Sequence, residues 1–168
     1  MIGERLHKLH LALETAARQC GRDPSEIKLM AVSKRFPVSA MMEAVSAGHL
    51  LFGENYLQEA AEKRALLPAD VHLHLIGHLQ SNKAKAAASI FSMIHTIDRQ
   101  KIAAVLNRHL QEEQRQMPVL IQVNTGRDPK KAGVLPEHTE QLLREVAQLP
   151  NLRASGLMTM PPFNEDPE

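Results

Sequence analysis

Short apolar runs alternate with amphipathic stretches along almost the whole chain, and the spacing of the apolar positions changes at each switch. From Arg5 to Cys20, Leu6, Leu9, Leu13, Ala16 and Ala17 recur three and four residues apart, which predicts a helix closed by Gly21 and Pro24. The run IKLMAVS, residues 27–33, loses that period and reads as a strand buried on both faces, as parallel strands are. A helix over 38–48 follows, with Pro37 at its entry and Gly48 at its C-terminal cap. The pair then recurs. Strands are predicted at 49–53, 71–77, 92–97 and 118–124, and helices at 55–67, 81–89, 98–114 and 136–149. Asp98 is the expected N-cap of the fourth of these strand-following helices, counted from 38–48, and a last strand covers 152–158.

Six strands, each but the last followed by a helix, imply an α/β fold with a parallel sheet, either doubly wound or closed as a barrel. The first strand runs into SKRFP and not into a glycine-rich dinucleotide loop, so a TIM-type (β/α) barrel is favoured. Such barrels take about 250 residues. The 168 residues here carry about six of the eight βα units, and the expectation is one domain over 1–168 that is incomplete at its C-terminal end.

Composition narrows the partners. Twenty Lys+Arg against 19 Asp+Glu give a formal charge of +1, which supplies no field for nucleic acid or an anionic membrane. Aromatic residues make up 3% with no Trp, leaving few surfaces on which bases would stack. The single cysteine, Cys20, excludes an internal disulfide framework and fits a reducing compartment. The charged N-terminus has no long apolar segment, and no run of about 20 apolar residues occurs, so a cytoplasmic protein is expected.

In a parallel barrel the chemistry sits where strands run into their following loops. Lys34 holds that position after the first strand. A lysine there either extends its ammonium to solvent or, in an apolar pocket, keeps enough free amine to condense with an aldehyde. Asn55, after the second strand in FGENY, either caps the next helix or offers an amide at the barrel mouth. Ser81 and Asn82 open a helix with Lys83 nearby, an arrangement that suits an anion. His72 and His74 share one face of a strand and His78 follows, a spacing compatible with metal ligands. With Asp98 assigned to a helix cap no carboxylate partner is available to them, so no metal site is expected. Met41, Met42, Met158 and Met160 read as packing or pocket-lining residues.

The segments AVSK (31–34), FGENY.QE (52–59), HLIGHLQSNK (74–83), PVLIQVN (118–124), K.G (Lys131, Gly133) and GLMTM (156–160), in this order and spacing, resemble the pyridoxal 5′-phosphate (PLP) homeostasis protein family. The resemblance covers nearly the whole chain. It implies a barrel similar to the N-terminal domain of alanine racemase, with PLP held as a Schiff base on Lys34, Asn55 lining the cofactor pocket and Met158 in its wall. It further implies a role in vitamin B6 homeostasis without established catalysis, PLP as ligand, PLP-requiring apo-enzymes as recipients, and a monomer. The alternative is a small PLP-dependent enzyme such as an amino-acid racemase. That chemistry needs an acid and a base on opposite faces of the cofactor, and the racemase takes a tyrosine for this from a second domain; the sole tyrosine here, Tyr56, belongs to the GENY segment. In the family the last two strands carry the groups that hold the phosphate, and no residue of this sequence is assigned to them.

Overall fold

The structure is a computed structural model and describes residues 1–161. Helix α1 (Ile2–Gln19) precedes six strands, β1 (Ala31–Val32), β2 (Leu51–Glu54), β3 (His72–Leu75), β4 (Met93–Ile97), β5 (Met117–Val123) and β6 (Leu152–Thr159). Between them lie α2 (Val38–Ser46), α3 (Leu57–Arg64), α4 (Ala84–Ile90), α5 (Gln100–Glu112) and α6 (Thr139–Ala147). Every strand pairs in parallel with its sequence neighbour, in the order β1-β2-β3-β4-β5-β6. A doubly wound sheet would reverse direction part-way; this one never does, which is the winding of a barrel.

The core lies between the outer face of the sheet and the helices. Phe52, Leu73, Leu75, Ile94, Val119 and Ile121 are buried in the strands, and Ile102, Ala103, Leu106 and Leu110 are buried along α5 at the spacing of one helical face. Burial of each large side chain contributes about 1.5–3 kcal/mol. In α4 the buried face is Ala84, Ala87 and Ala88, whose small side chains let this short helix lie close to its neighbours. Gly48, at φ +84, takes the left-handed turn that ends α2, as its position predicts. Among the described residues no helix is long and apolar enough to cross a membrane.

Three expectations change. β1 is reduced to two residues, and Val32 is 46% exposed, because an edge strand has a neighbour on one side only. The helix expected over 81–89 opens as a 3₁₀ turn, Ser81–Lys83, and becomes α-helical only at Ala84. Asp98 does not cap α5: the helix starts at Gln100, its N-cap is Arg99, and no side chain caps it. Displaced by one residue, the Asp98 carboxylate instead accepts from the Arg99 guanidinium and lies 3.5 Å from His78 Nδ1. Residues 162–168 of the span expected as one domain lie outside the described residues.

Candidate functional site

The register of the first three strands fixes what meets at their C-terminal ends. Ala31 pairs with Phe52 and Phe52 with Leu73; Val32 pairs with Gly53 and Gly53 with His74. The pairing runs on past the strand ends, since Ser33 N–H donates to the Gly53 carbonyl (3.0 Å) and Ile76 N–H to the Glu54 carbonyl (2.9 Å). Continued by one step, it brings Lys34 level with Asn55 and Asn55 level with Ile76. Side chains alternate along a strand, so Phe52, Glu54, Leu73 and Leu75 are buried against the helices while the alternate positions face the concave side. On that side a Cβ at Gly53 would lie 3.1 Å from both Ile76 Cδ1 and Met30 Sδ, which makes Met30 and Ile76 its apolar walls.

Lys34 and Asn55 are therefore neighbours on adjacent strand ends. Met158, on β6 at the opposite edge of the sheet, pairs with Gln122 of β5 and is not part of this pair. Lys34 is half-buried, and among the described residues its amine has no hydrogen-bond or ion-pair partner. A cavity of about 730 Å³ opens at Asn55, between α3 and the turn into α4, lined also by Tyr56, Gln58, His78, Gln80 and Lys83. Lys34 and Met158 are not among its walls.

A second lysine lies beneath the first loop, and it is fully engaged. Lys63 Nζ donates to the Ser33 carbonyl, Glu54 Oε1 and Glu59 Oε1, each at 2.7 Å. Ser33 Oγ also donates to Glu54 Oε1 at 2.7 Å. Glu54 is wholly buried and Lys63 is 6% exposed. Burial alone would depress the Lys63 ammonium, but its bonds to Glu54 and Glu59 outweigh that and hold its pKa above the ordinary lysine value. The Lys63 hydrogen bond draws Glu59 below the ordinary carboxylate range, against a smaller opposing effect of burial. The sequence gives little hint of this network. Glu59 and Lys63 at i,i+4 read as a solvated helical pair, and only the docking of α3 on the sheet buries them.

The histidines divide. His74 Nδ1 lies 3.0 Å from His95 Nε2, a contact between β3 and β4 that the spacing of His72 and His74 did not suggest. Burial chiefly, then the nearby His95, His72 and Lys28, push His74 down to about 4. Among the described residues no three His, Cys, Asp or Glu side chains converge as metal ligands. His78 does have a carboxylate neighbour, Asp98, contrary to the expectation drawn from helix capping.

Comparison with known proteins follows the same lines. The family described as alanine racemase, N-terminal domain, matches residues 6–168. The pyridoxal phosphate homeostasis protein of Escherichia coli K12 is 42% identical over 164 residues, covering 95% of this chain and 70% of that protein. The chain belongs to the pyridoxal phosphate homeostasis protein family. The member from Pseudomonas aeruginosa PAO1 is 44% identical over 162 residues, with the same coverage. Among solved structures, PipY of Synechococcus elongatus PCC7942 with PLP bound is 36% identical with a TM-score of 0.77, over 91% of this chain and 72% of PipY. Alanine racemase of Clostridium difficile 630 superposes with a TM-score of 0.72 over 90% of this chain and 39% of the racemase; at 14% identity that likeness concerns the fold alone.

Proposed function

We propose that this protein binds PLP at the mouth of its sheet, holds it as a Schiff base on Lys34 and serves cytoplasmic PLP homeostasis by passing it to PLP-requiring apo-enzymes, without turnover of its own. The observation that carries the proposal is the contrast between two lysines. Lys63 is locked by three hydrogen bonds, whereas Lys34, half-buried and level with Asn55, has an amine with no partner among the described residues. An amine that attacks an aldehyde needs its lone pair, and an amine committed to carboxylates has none to offer. The PLP-bound PipY structure and the homeostasis proteins of E. coli and P. aeruginosa support the same ligand.

The residues at the mouth fit the aldehyde end of such a ligand. Lys34 would supply the amine for the aldehyde, one water leaving as the bond forms. Asn55 supplies an amide able to donate and accept beside it, and Met30 and Ile76 supply apolar contact for a ring. When bound, PLP contributes an electrophilic carbonyl and an electron-withdrawing ring. The absence of turnover in the proposal rests on Tyr56. It is the only tyrosine of the sequence, it occupies the N-cap position of α3 and it is 48% exposed, which suits solvent contact better than proton transfer at an enclosed ring.

The test is incubation with PLP, reduction by borohydride and peptide mapping by mass. One reduced adduct on Lys34, absent from Lys34→Ala, is the expected outcome. An adduct that survives Lys34→Ala and maps to Lys63 or Lys83 would overturn the assignment. Saturable racemisation of an amino acid dependent on Lys34 would overturn the absence of turnover.

A further inference from the structure

The turn that follows β1 is held from below by α3, and the points at which it is held bracket Lys34. On one side of that residue, the Ser33 carbonyl accepts from Lys63 Nζ at 2.7 Å. On the other, the Arg35 N–H donates to Glu59 Oε1 at 2.6 Å. Lys63 and Glu59 are bonded to each other at 2.7 Å, one helical turn apart on α3, so the two holds are one object. Glu54 ties the object to β2 by accepting from both Lys63 Nζ and Ser33 Oγ. Phe36 N–H closes the turn onto the Ser33 carbonyl at 3.1 Å.

Arg35 also carries strain. Its φ of +64° lies in the left-handed region, which an L-residue with a side chain enters at a cost, and two other non-glycine residues, Gln114 and Arg127, do so among the described residues. All three are exposed, but of them Arg35 stands immediately after Lys34 and has a carboxylate on its N–H. Strain of this kind persists where surrounding contacts over-determine the backbone. Here those contacts come from Glu59 and, through it, Lys63.

We propose that Glu59 and Lys63 are positioning residues: together they clamp the peptide groups on both sides of Lys34, fix the Arg35 turn and so aim the Lys34 amine, which they do not touch, into the mouth. This rests on the assignment of Lys34 as the PLP-binding lysine. The charged Lys63 and Glu59 make strong bonds to the backbone; Lys63 is buried, so water competes little for its bond to the Ser33 carbonyl, while Glu59, partly exposed, is held in place by its own bond to Lys63. Losing the clamp frees Lys34 to sample directions away from the ligand, which weakens capture without removing any group that contacts it.

The experiment uses the full chain and four variants: Glu59→Ala, Glu59→Gln, Arg35→Gly, and Glu59→Ala combined with Arg35→Gly. Two quantities are read, the amide hydrogen-exchange rate at Arg35 without PLP and the concentration of PLP that half-saturates borohydride trapping on Lys34. Glu59→Ala should speed exchange at Arg35 and raise the half-saturating concentration about tenfold, the consequence of losing one charge-assisted hydrogen bond. Glu59→Gln, whose amide oxygen still accepts from Arg35, should recover most of both. Arg35→Gly alone should trap like the unaltered chain, and in the double variant glycine, free of the strain, should recover part of the trapping. All should melt within a few degrees of the unaltered protein, because Glu59 is partly exposed and Lys63 keeps Glu54. Trapping unchanged in Glu59→Ala despite faster exchange, or loss in Glu59→Gln equal to that in Glu59→Ala, would overturn the positioning role. If the unaltered chain traps no PLP on Lys34 while the Arg35 amide stays protected, the cofactor assignment fails and the positioning role with it; an unprotected Arg35 amide in a chain that does trap refutes the clamp alone.

Discussion

His74 lies on the concave side of β3 with its Nδ1 3.0 Å from His95 of β4, and its protonation is coupled to folding. Burial, then His95, His72 and Lys28, lower its pKa from 6.5 to about 4, and burial lowers His95 as well. Unfolded, both titrate near their ordinary value. Between about 4 and 6.5 the unfolded chain therefore binds protons that the folded chain refuses, so stability is complete above 6.5 and falls as the pH drops toward 4. For His74 alone the effect is on the order of 2 kcal/mol, allowing for its partial exposure. His74→Gln should flatten the acid limb of a plot of urea midpoint against pH between 4 and 6.5. An acid limb of the same steepness in the variant would show that other groups set it. The sequence displays His72 and His74 as a pair on one face, yet the partner that shapes His74 is His95, 21 residues away and legible only once β3 and β4 are aligned.

At the scale of elements, the strands and helices were readable because the apolar period switches cleanly between them. α5 falls within the helix expected over 98–114, and its buried face is Ile102, Ala103, Leu106 and Leu110. Boundaries were less readable, because they depend on neighbours that the sequence does not display. Asp98 looks like a cap and becomes a partner of Arg99 and His78, since the helix begins one residue later than its polar start suggests. The loop after β3 shows the same dependence at Gly77. A Cβ there would lie 2.1 Å from the Asn55 carbonyl oxygen and 2.8 Å from Asn55 C and Cα, all of them backbone atoms that cannot turn aside. From the other side Thr96 Oγ1 donates to the Gly77 carbonyl at 2.7 Å, so Gly77 has no direction in which to retreat. Gly77→Ala should cost about 2–3 kcal/mol and push Asn55 out of line with Lys34. Urea denaturation reads the first effect and PLP trapping the second. A variant with the original midpoint would mean that the loop and the end of β2 are not packed backbone to backbone.

For the molecule as a whole, the sheet order without reversal curves six strands toward closure and leaves β1 and β6 as its edges. β1 offers two residues and a half-exposed Val32; β6 is eight residues long and carries Leu157 at 61% exposure. Such a pair of edges exposes unsatisfied backbone donors and acceptors beside apolar side chains, which favours pairing with another chain. The family members matched above are longer, this chain covering 70% of the E. coli protein and 72% of PipY. Extending these 168 residues with the corresponding C-terminal part of PipY should therefore cover both edges and suppress concentration-dependent association in sedimentation. It should also tighten PLP binding. The described residues supply an amine and an amide at the mouth but no assigned group for a phosphate, and each hydrogen bond to a charged group contributes about 1.5–3 kcal/mol. Two or three such bonds gained in the extended chain correspond to at least a hundredfold stronger binding, read by titration of both chains beside their melting curves. Equal affinity and equal melting temperature would show that the mouth of these six strands already binds the phosphate and that the open edges cost the fold nothing.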